Sequence, residues 1–191
     1  MLRPEKTGLL IIDIQNDYFE GEKNPLVNSL EATLNTKQLL KFFRKKKLPV
    51  FFVQHISTKK DADFFLPDSE GSKIHKLISP LRSEPVIIKH YPNSFHRTNL
   101  LEKIDARDLE NLIFCGMMTH LCVDSTVRAA KDFGFNCFLL NDAVATKELE
   151  FNGNHIDAQR VNETFMAALD GIYANIISTK DILELLNANY Q

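Results

Sequence analysis

The chain has 191 residues, 44% of them hydrophobic and 25% charged, a globular composition long enough to build one large core without crosslinks. Its 23 basic and 25 acidic residues leave a formal net charge of -2, which argues against nucleic-acid and anionic-membrane partners. An odd set of cysteines (Cys115, Cys122 and Cys137), no apolar leader after Met1 and no run of about 20 apolar residues make a reducing cytoplasm the expected setting.

Short apolar runs alternate with longer stretches of helical period. Leu9-Leu10-Ile11-Ile12 is the first run. A helix is expected over 30–47, with Leu34, Leu39, Leu40, Phe42 and Phe43 as its apolar stripe and Arg44-Lys45-Lys46-Lys47 complementing the dipole of its last turn. Val50-Phe51-Phe52-Val53 follows, then an irregular connection over 57–82 of the kind that forms lids and binding loops. Val86-Ile87-Ile88 and Leu112-Ile113-Phe114 are the next two runs. A helix over 120–133 stops at Gly134, and Cys137-Phe138-Leu139-Leu140 comes after it. A helix over 156–169, the run Asn175-Ile176-Ile177 and a helix over 179–186, capped by Ser178 or Thr179, complete the chain.

Continuous rather than alternating apolarity means strands covered on both faces. The expected architecture is therefore a single domain over 1–191. It is a doubly wound, three-layer α/β/α fold on a six-stranded parallel sheet, Rossmann-like, with strand order 3-2-1-4-5-6. Ligands of such sheets bind beyond the carboxyl ends of the strands. Asp13 closes the first strand, Gln54-His55 the second, Lys89 the third, and Gly116 to Cys122 leads from the fourth into a helix.

Cys122 is the candidate nucleophile, because amide N–H groups and a helix dipole at that position would lower a thiol pKa and receive an oxyanion. Packing inside a helix is the competing reading, and for Cys115 and Cys137, set among apolar strand residues, packing prevails. Asp13 and Lys89 read either as an acid–base pair serving the thiol or as a structural ion pair between strand ends.

Taken together, three blocks resemble the isochorismatase-like cysteine hydrolase superfamily. Asp13-Ile14-Gln15-Asn16-Asp17-Tyr18-Phe19 is similar to its D-x-Q-N-D-[FY] block, and the run from Lys89 to Ser94-Phe95 is similar to its lysine block. Gly116-Met117-Met118-Thr119-His120-Leu121-Cys122-Val123-Asp124-Ser125-Thr126 is similar to its G-x-x-T-x-x-C-V-x-x-T block. The resemblance implies a triad of Asp13, Lys89 and Cys122. It also implies a cis Met117-Met118 peptide and an oxyanion hole formed by the amides of Met118 and Cys122.

The resemblance further implies a homo-oligomer (dimer or tetramer) and a small-molecule substrate. The expected reaction is hydrolysis of a C–N bond, amide or lactam-like, through a thioester. The metal-binding Asp-x-His element of the superfamily's nicotinamidases reads Val53-Gln54-His55 here, and His75 has no matching partner pattern. No metal or cofactor is therefore expected. Phe19, Gln54, His55, Phe95, Phe151 and His155 are the candidate substrate contacts. Two alternatives stand beside the hydrolase: a catalytically inactive binding or regulatory module on the same fold, and a vinyl-ether hydrolase of the isochorismatase type.

Overall fold

The structure, a computed structural model, describes residues 2–189. Six parallel strands form one sheet: β1 (Thr7–Ile12), β2 (Val50–His55), β3 (Val86–Lys89), β4 (Asn111–Met117), β5 (Asn136–Ala145) and, after a two-stranded hairpin, β8 (Asn175–Ile177). Their order is β3-β2-β1-β4-β5-β8, so the expected doubly wound topology holds, with β8 as the sixth strand. The hairpin is β6 (Leu149–Phe151) with β7 (Asn154–Ile156), an antiparallel insertion that the sequence pattern did not suggest.

The period of two sorts the core onto the two faces of the sheet. Leu9 and Ile11 of β1, with Val50 and Phe52 of β2, pack with Leu39, Leu40 and Phe43 of α1 (Ser29–Lys46) and Ile182 and Leu186 of α5 (Thr179–Ala188). Leu10, Ile12, Phe51 and Val53 face the other way. They pack with Leu100 and Ile104 of α2 (Leu100–Asp105), Val127 and Ala130 of α3 (Asp124–Asp132), and Leu169 of α4 (Ala158–Leu169). All six residues of β1 and all seven of β4 are buried, as expected for central strands covered by helices on both sides.

Local chemistry sets the ends of these elements. Lys47 closes α1 in the left-handed region at φ 55, its N–H bonded to Arg44 O and Phe43 O. Ser178 caps α5 by accepting from Asp181 N, as expected, and Asp157 caps α4 by accepting from Arg160 N. Gly116 has φ +135, and a Cβ there would lie 2.0 Å from Ile12 O, so only glycine lets β4 pass this close to β1. The β4–β5 register shifts between Phe114 and Gly116. Among the described residues no helix is long and apolar enough to cross a membrane.

Candidate active site

Registration of β2 on β3 pairs His55 with Lys89, and registration of β1 on β4 pairs Ile12 with Gly116. These four positions bring Asp13, His55, Lys89 and the segment leading to Cys122 to one edge of the sheet. Asp13 turns off β1 at φ 50, with its N–H bonded to Val53 O. Its carboxylate Oδ2 lies 2.7 Å from Lys89 Nζ, and both side chains are fully buried. The same Nζ lies 3.1 Å from Cys122 Sγ, 2.9 Å from His55 Nδ1 and 3.1 Å from Tyr91 O. Among the described residues neither Asp13 oxygen has a well-aligned hydrogen-bond partner, but both the Lys89 ammonium and the Cys122 thiol lie close enough to act on the carboxylate.

Burial raises the Asp13 carboxyl, with the Lys89 charge pulling the other way. Burial would by itself lower Lys89, but Asp13 and Cys122 outweigh it and keep the ammonium above its ordinary value. The Cys122 thiol is pushed up to about 12 by burial, with Asp13 adding to the effect and Lys89 opposing it. The direction is the reverse of the acidified thiol that was expected, while the expected place holds. Cys122 lies in the first helical turn after β4, a π-helical stretch over Thr119–Val123 that runs directly into α3, with Val123 N bonded to Met118 O. Burial also takes Cys115 and Cys137 to about 12. What separates Cys122 from them is therefore its neighbours: a carboxylate and an ammonium.

The rest of each block holds this cluster in place. Gln15 donates to His55 O (2.8 Å) and Ser72 O (2.7 Å) and accepts from His55 N (2.7 Å). Asn16 donates to Glu70 O, and Asp17 accepts from Phe65 N at 2.6 Å. A Cβ on Gly71 would lie 2.0 Å from Asp17 Oδ1, so the connection closes tightly there. Three consecutive side chains after the acid thus clip the irregular connection over the site. Ser94, five residues after Lys89, is tied to Thr126, four after Cys122: Ser94 N donates to Thr126 Oγ1 at 3.0 Å, and the two hydroxyls lie 2.9 Å apart. The Met117-Met118 peptide is cis, and Thr119 Oγ1 donates to Ala145 O at the end of β5.

The candidate substrate contacts divide. His55 is at the site. Gln54 donates to Ser72 O and so holds the connection rather than facing a ligand. Phe95 is buried against Phe133 in the same apolar cluster as Cys122, and Phe19 stacks on His75 with ring centroids 3.9 Å apart. Phe151 and His155 lie on the β6–β7 hairpin, Phe151 71% exposed and His155 paired at 3.7 Å with Glu150. The expected helix start at 156 hid this hairpin. Tyr18, an aromatic of the first block beside Phe19, is buried and raised well above its usual value by burial, then by Cys122 and Asp13.

Asp13, His55 and Cys122 each offer a ligand atom within 4.8 Å of the others. The Lys89 ammonium, however, already lies against all three. A divalent cation among them would abut a buried positive charge, and position 53, where a further carboxylate would be needed, is Val53. His75 is engaged elsewhere, stacked on Phe19 with its Nδ1 accepting from Leu77 N. These residues do not fit a metal.

Residues 7–170 match the Isochorismatase domain family model. The chain is 45% identical over 178 residues to the uncharacterised isochorismatase family protein YddQ of Bacillus subtilis, covering 93% of this chain and 99% of that protein. It is 28% identical to Nicotinamidase 3 of Arabidopsis thaliana (83% of this chain, 80% of that one) and 28% identical to streptothricin hydrolase of Streptomyces noursei (74% and 50%). A solved structure of an isochorismatase hydrolase from Oleispira antarctica superposes with a TM-score of 0.91 at 43% identity, covering 96% of this chain and 99% of that one. The chain belongs to the isochorismatase family.

Proposed function

We propose that the protein is a cysteine-dependent hydrolase of a small-molecule C–N bond, amide or lactam-like. The observation that carries the reading is the buried contact of Lys89 Nζ with both Asp13 and Cys122, with the thiol within reach of the Asp13 carboxylate. A nicotinamidase and a streptothricin hydrolase among the relatives support C–N bonds as the target.

A thiol held near 12 is not a standing thiolate at neutral pH. The proton therefore leaves as sulfur attacks. Asp13 takes it while the Cys122 sulfur bonds to the carbonyl carbon, and the amides of Met118 and Cys122 receive the developing oxyanion. The C–N bond then breaks, and protonated Asp13 returns the proton to the nitrogen, which leaves as ammonia or an amine from an open-chain amide and stays tethered as a free amino group when a ring is opened. Water attacks the thioester, giving one proton to Asp13 and its hydroxyl to the carbon. The sulfur departs and recovers that proton, so acid and thiol result. Lys89 stays charged throughout and offsets the negative charge of the Asp13 carboxylate before attack and of the sulfur as it departs.

The test is hydrolysis across nicotinamide, ureido acids, cyclic amides and lactam-like compounds, read as ammonia or amine release for open-chain amides and as a new primary amino group for cyclic ones, with acid quenching and peptide mass mapping. Hydrolysis of at least one compound is expected, with its acyl group on the Cys122 peptide. Hydrolysis with an acyl group on another residue would overturn the reading.

A further inference from the structure

The Lys89 ammonium directs its three protons to Cys122 Sγ at 3.1 Å, His55 Nδ1 at 2.9 Å and Tyr91 O at 3.1 Å. An ammonium can only donate, so His55 Nδ1 accepts and the neutral ring carries its proton on Nε2. Burial first, then the charges of Lys89, His90 and Lys59, lower the pKa of this ring to about 3, so it is neutral at neutral pH. Gln15 bonds both the N–H and the carbonyl of His55, which fixes the backbone that carries the ring. Lys89 is the ring's one hydrogen-bond partner among the described residues, and Nε2 is not among the atoms buried without a partner. Its N–H is therefore an open donor. A ring nitrogen of His55, an Asp13 oxygen and Cys122 Sγ lie within 4.8 Å of one another, so this donor stands no more than one imidazole ring beyond the reacting atoms.

We propose that the Nε2–H of His55 binds a carboxylate of the substrate, and that the site takes small acid amides, compounds with a carboxylate a few bonds from the scissile carbonyl. This rests on the hydrolase reading of the same site and names its substrate class. The polar groups around the sulfur favour that class. Lys89 and His55 Nε2 donate, and in the proposed reaction the amides of Met118 and Cys122 donate to the oxyanion. The carboxylate among them, Asp13, is buried against Lys89 and is taken up with the thiol proton. A second polar group on the substrate thus meets a donor and no spare acceptor. Charge decides which acceptor fits best. The charges acting on the His55 ring come from Lys89, His90 and Lys59, none of them acidic. An anionic oxygen is favoured in such surroundings, and its hydrogen bond is about twice as strong as a neutral one.

His55 also has a simpler role open to it, which is to hold Lys89 in place. A ring that did no more than that would affect charged and neutral amides alike. A ring that binds the carboxylate changes the preference between them, and that preference separates the two roles.

The test uses Cys122→Ala, so that binding is read without turnover. Calorimetry measures the affinities of the monoamides of malonic, succinic and glutaric acid, each beside the amide in which an isopropyl group replaces the carboxylate. The measurement is repeated with His55→Gln or His55→Leu added. Gln and Leu are similar in size, but Gln keeps an acceptor for Lys89 and a donor beyond it. At least one acid is expected to bind about 10- to 100-fold more tightly than its isopropyl partner, the range a hydrogen bond to a charged group gives. That preference should persist with His55→Gln and be lost with His55→Leu. No acid preference in any pair, or a preference that survives His55→Leu, would overturn the proposal. Nitrogen-15 NMR of Cys122→Ala needs no change at His55: a neutral ring protonated on Nε2 is expected, with that resonance moving as the preferred acid is added. A proton on Nδ1, or a resonance that stays in place at saturation, would overturn it as well. Neither measurement reads cleavage by the parent protein, so the acid-amide proposal and the hydrolase reading fail separately.

Discussion

Lys89 Nζ and Asp13 Oδ2 meet 2.7 Å apart with both side chains fully buried. Removing one partner leaves the other as an uncompensated charge in the core. Asp13→Asn and Lys89→Met are each expected to lower unfolding free energy by about 3–5 kcal/mol. Combining them should recover part of that loss, since no lone charge then remains. Activity should behave differently: every variant lacking Asp13 is expected to lose about 100- to 10,000-fold in turnover, the range for a general base. Urea unfolding and steady-state rates on the single and double variants check both halves.

Ser94 and Thr126 tie the segment after Lys89 to the helix after Cys122. Thr126→Val keeps the shape and removes the hydroxyl, leaving Ser94 N–H and its hydroxyl buried without this partner. A stability loss of about 1–3 kcal/mol is expected. If the tie sets the distance between ammonium and sulfur, turnover should fall beyond what the folded fraction explains, while Thr164→Val, on the exposed face of α4, should change neither. Activity normalised to the folded fraction is the measurement.

Stability should also respond to pH through His55. Burial first, then Lys89, His90 and Lys59, lower its pKa from 6.5 to about 3. Between those values the unfolded chain binds more protons than the folded one, so stability rises with pH and is lost as pH falls from about 6.5 towards 3. His75 and His120, lowered by burial, act in the same direction, whereas Asp13, raised by burial, opposes them at the acid end. In His55→Gln the slope of unfolding free energy against pH between 4 and 6 is expected to shrink by up to about 1.4 kcal/mol per pH unit. Solvent reaching the half-buried ring will keep the change below that ceiling. Denaturant melts at several pH values give the slope.

Much of this arrangement was legible because it is written in contiguous blocks. Runs such as Leu9–Ile12 could only be strands buried on both faces, and alternation then dictated which residues met which helix. Asp13, Lys89 and Cys122 stood at strand ends, where the topology forces convergence. Other features leave no such trace. The three-residue strands of the β6–β7 hairpin are mostly exposed and carry no apolar run, so the sequence pattern gave no sign of them around Phe151 and His155. Helix α2, at six residues, is too short to show a period. The π-helical turn at Thr119–Val123 has the same residue types as an α-helix start, so its wider winding around Cys122 leaves no mark in the sequence. Gln15, Asn16 and Asp17 were visible as part of a block, but their partners in the 55–72 region became apparent only once the connection was seen folded over them.

In the proposed reaction the Cys122 sulfur, served by Asp13 and Lys89, makes and breaks the bond to substrate carbon. The decisive measurement is the initial rate of Cys122→Ala beside the parent, on whichever amide the parent cleaves, with circular dichroism confirming that both are folded. Turnover is expected to fall to the uncatalysed background while the folded signal is kept. A folded Cys122→Ala protein that cleaves the same amide at the parent rate would overturn the role given to this sulfur.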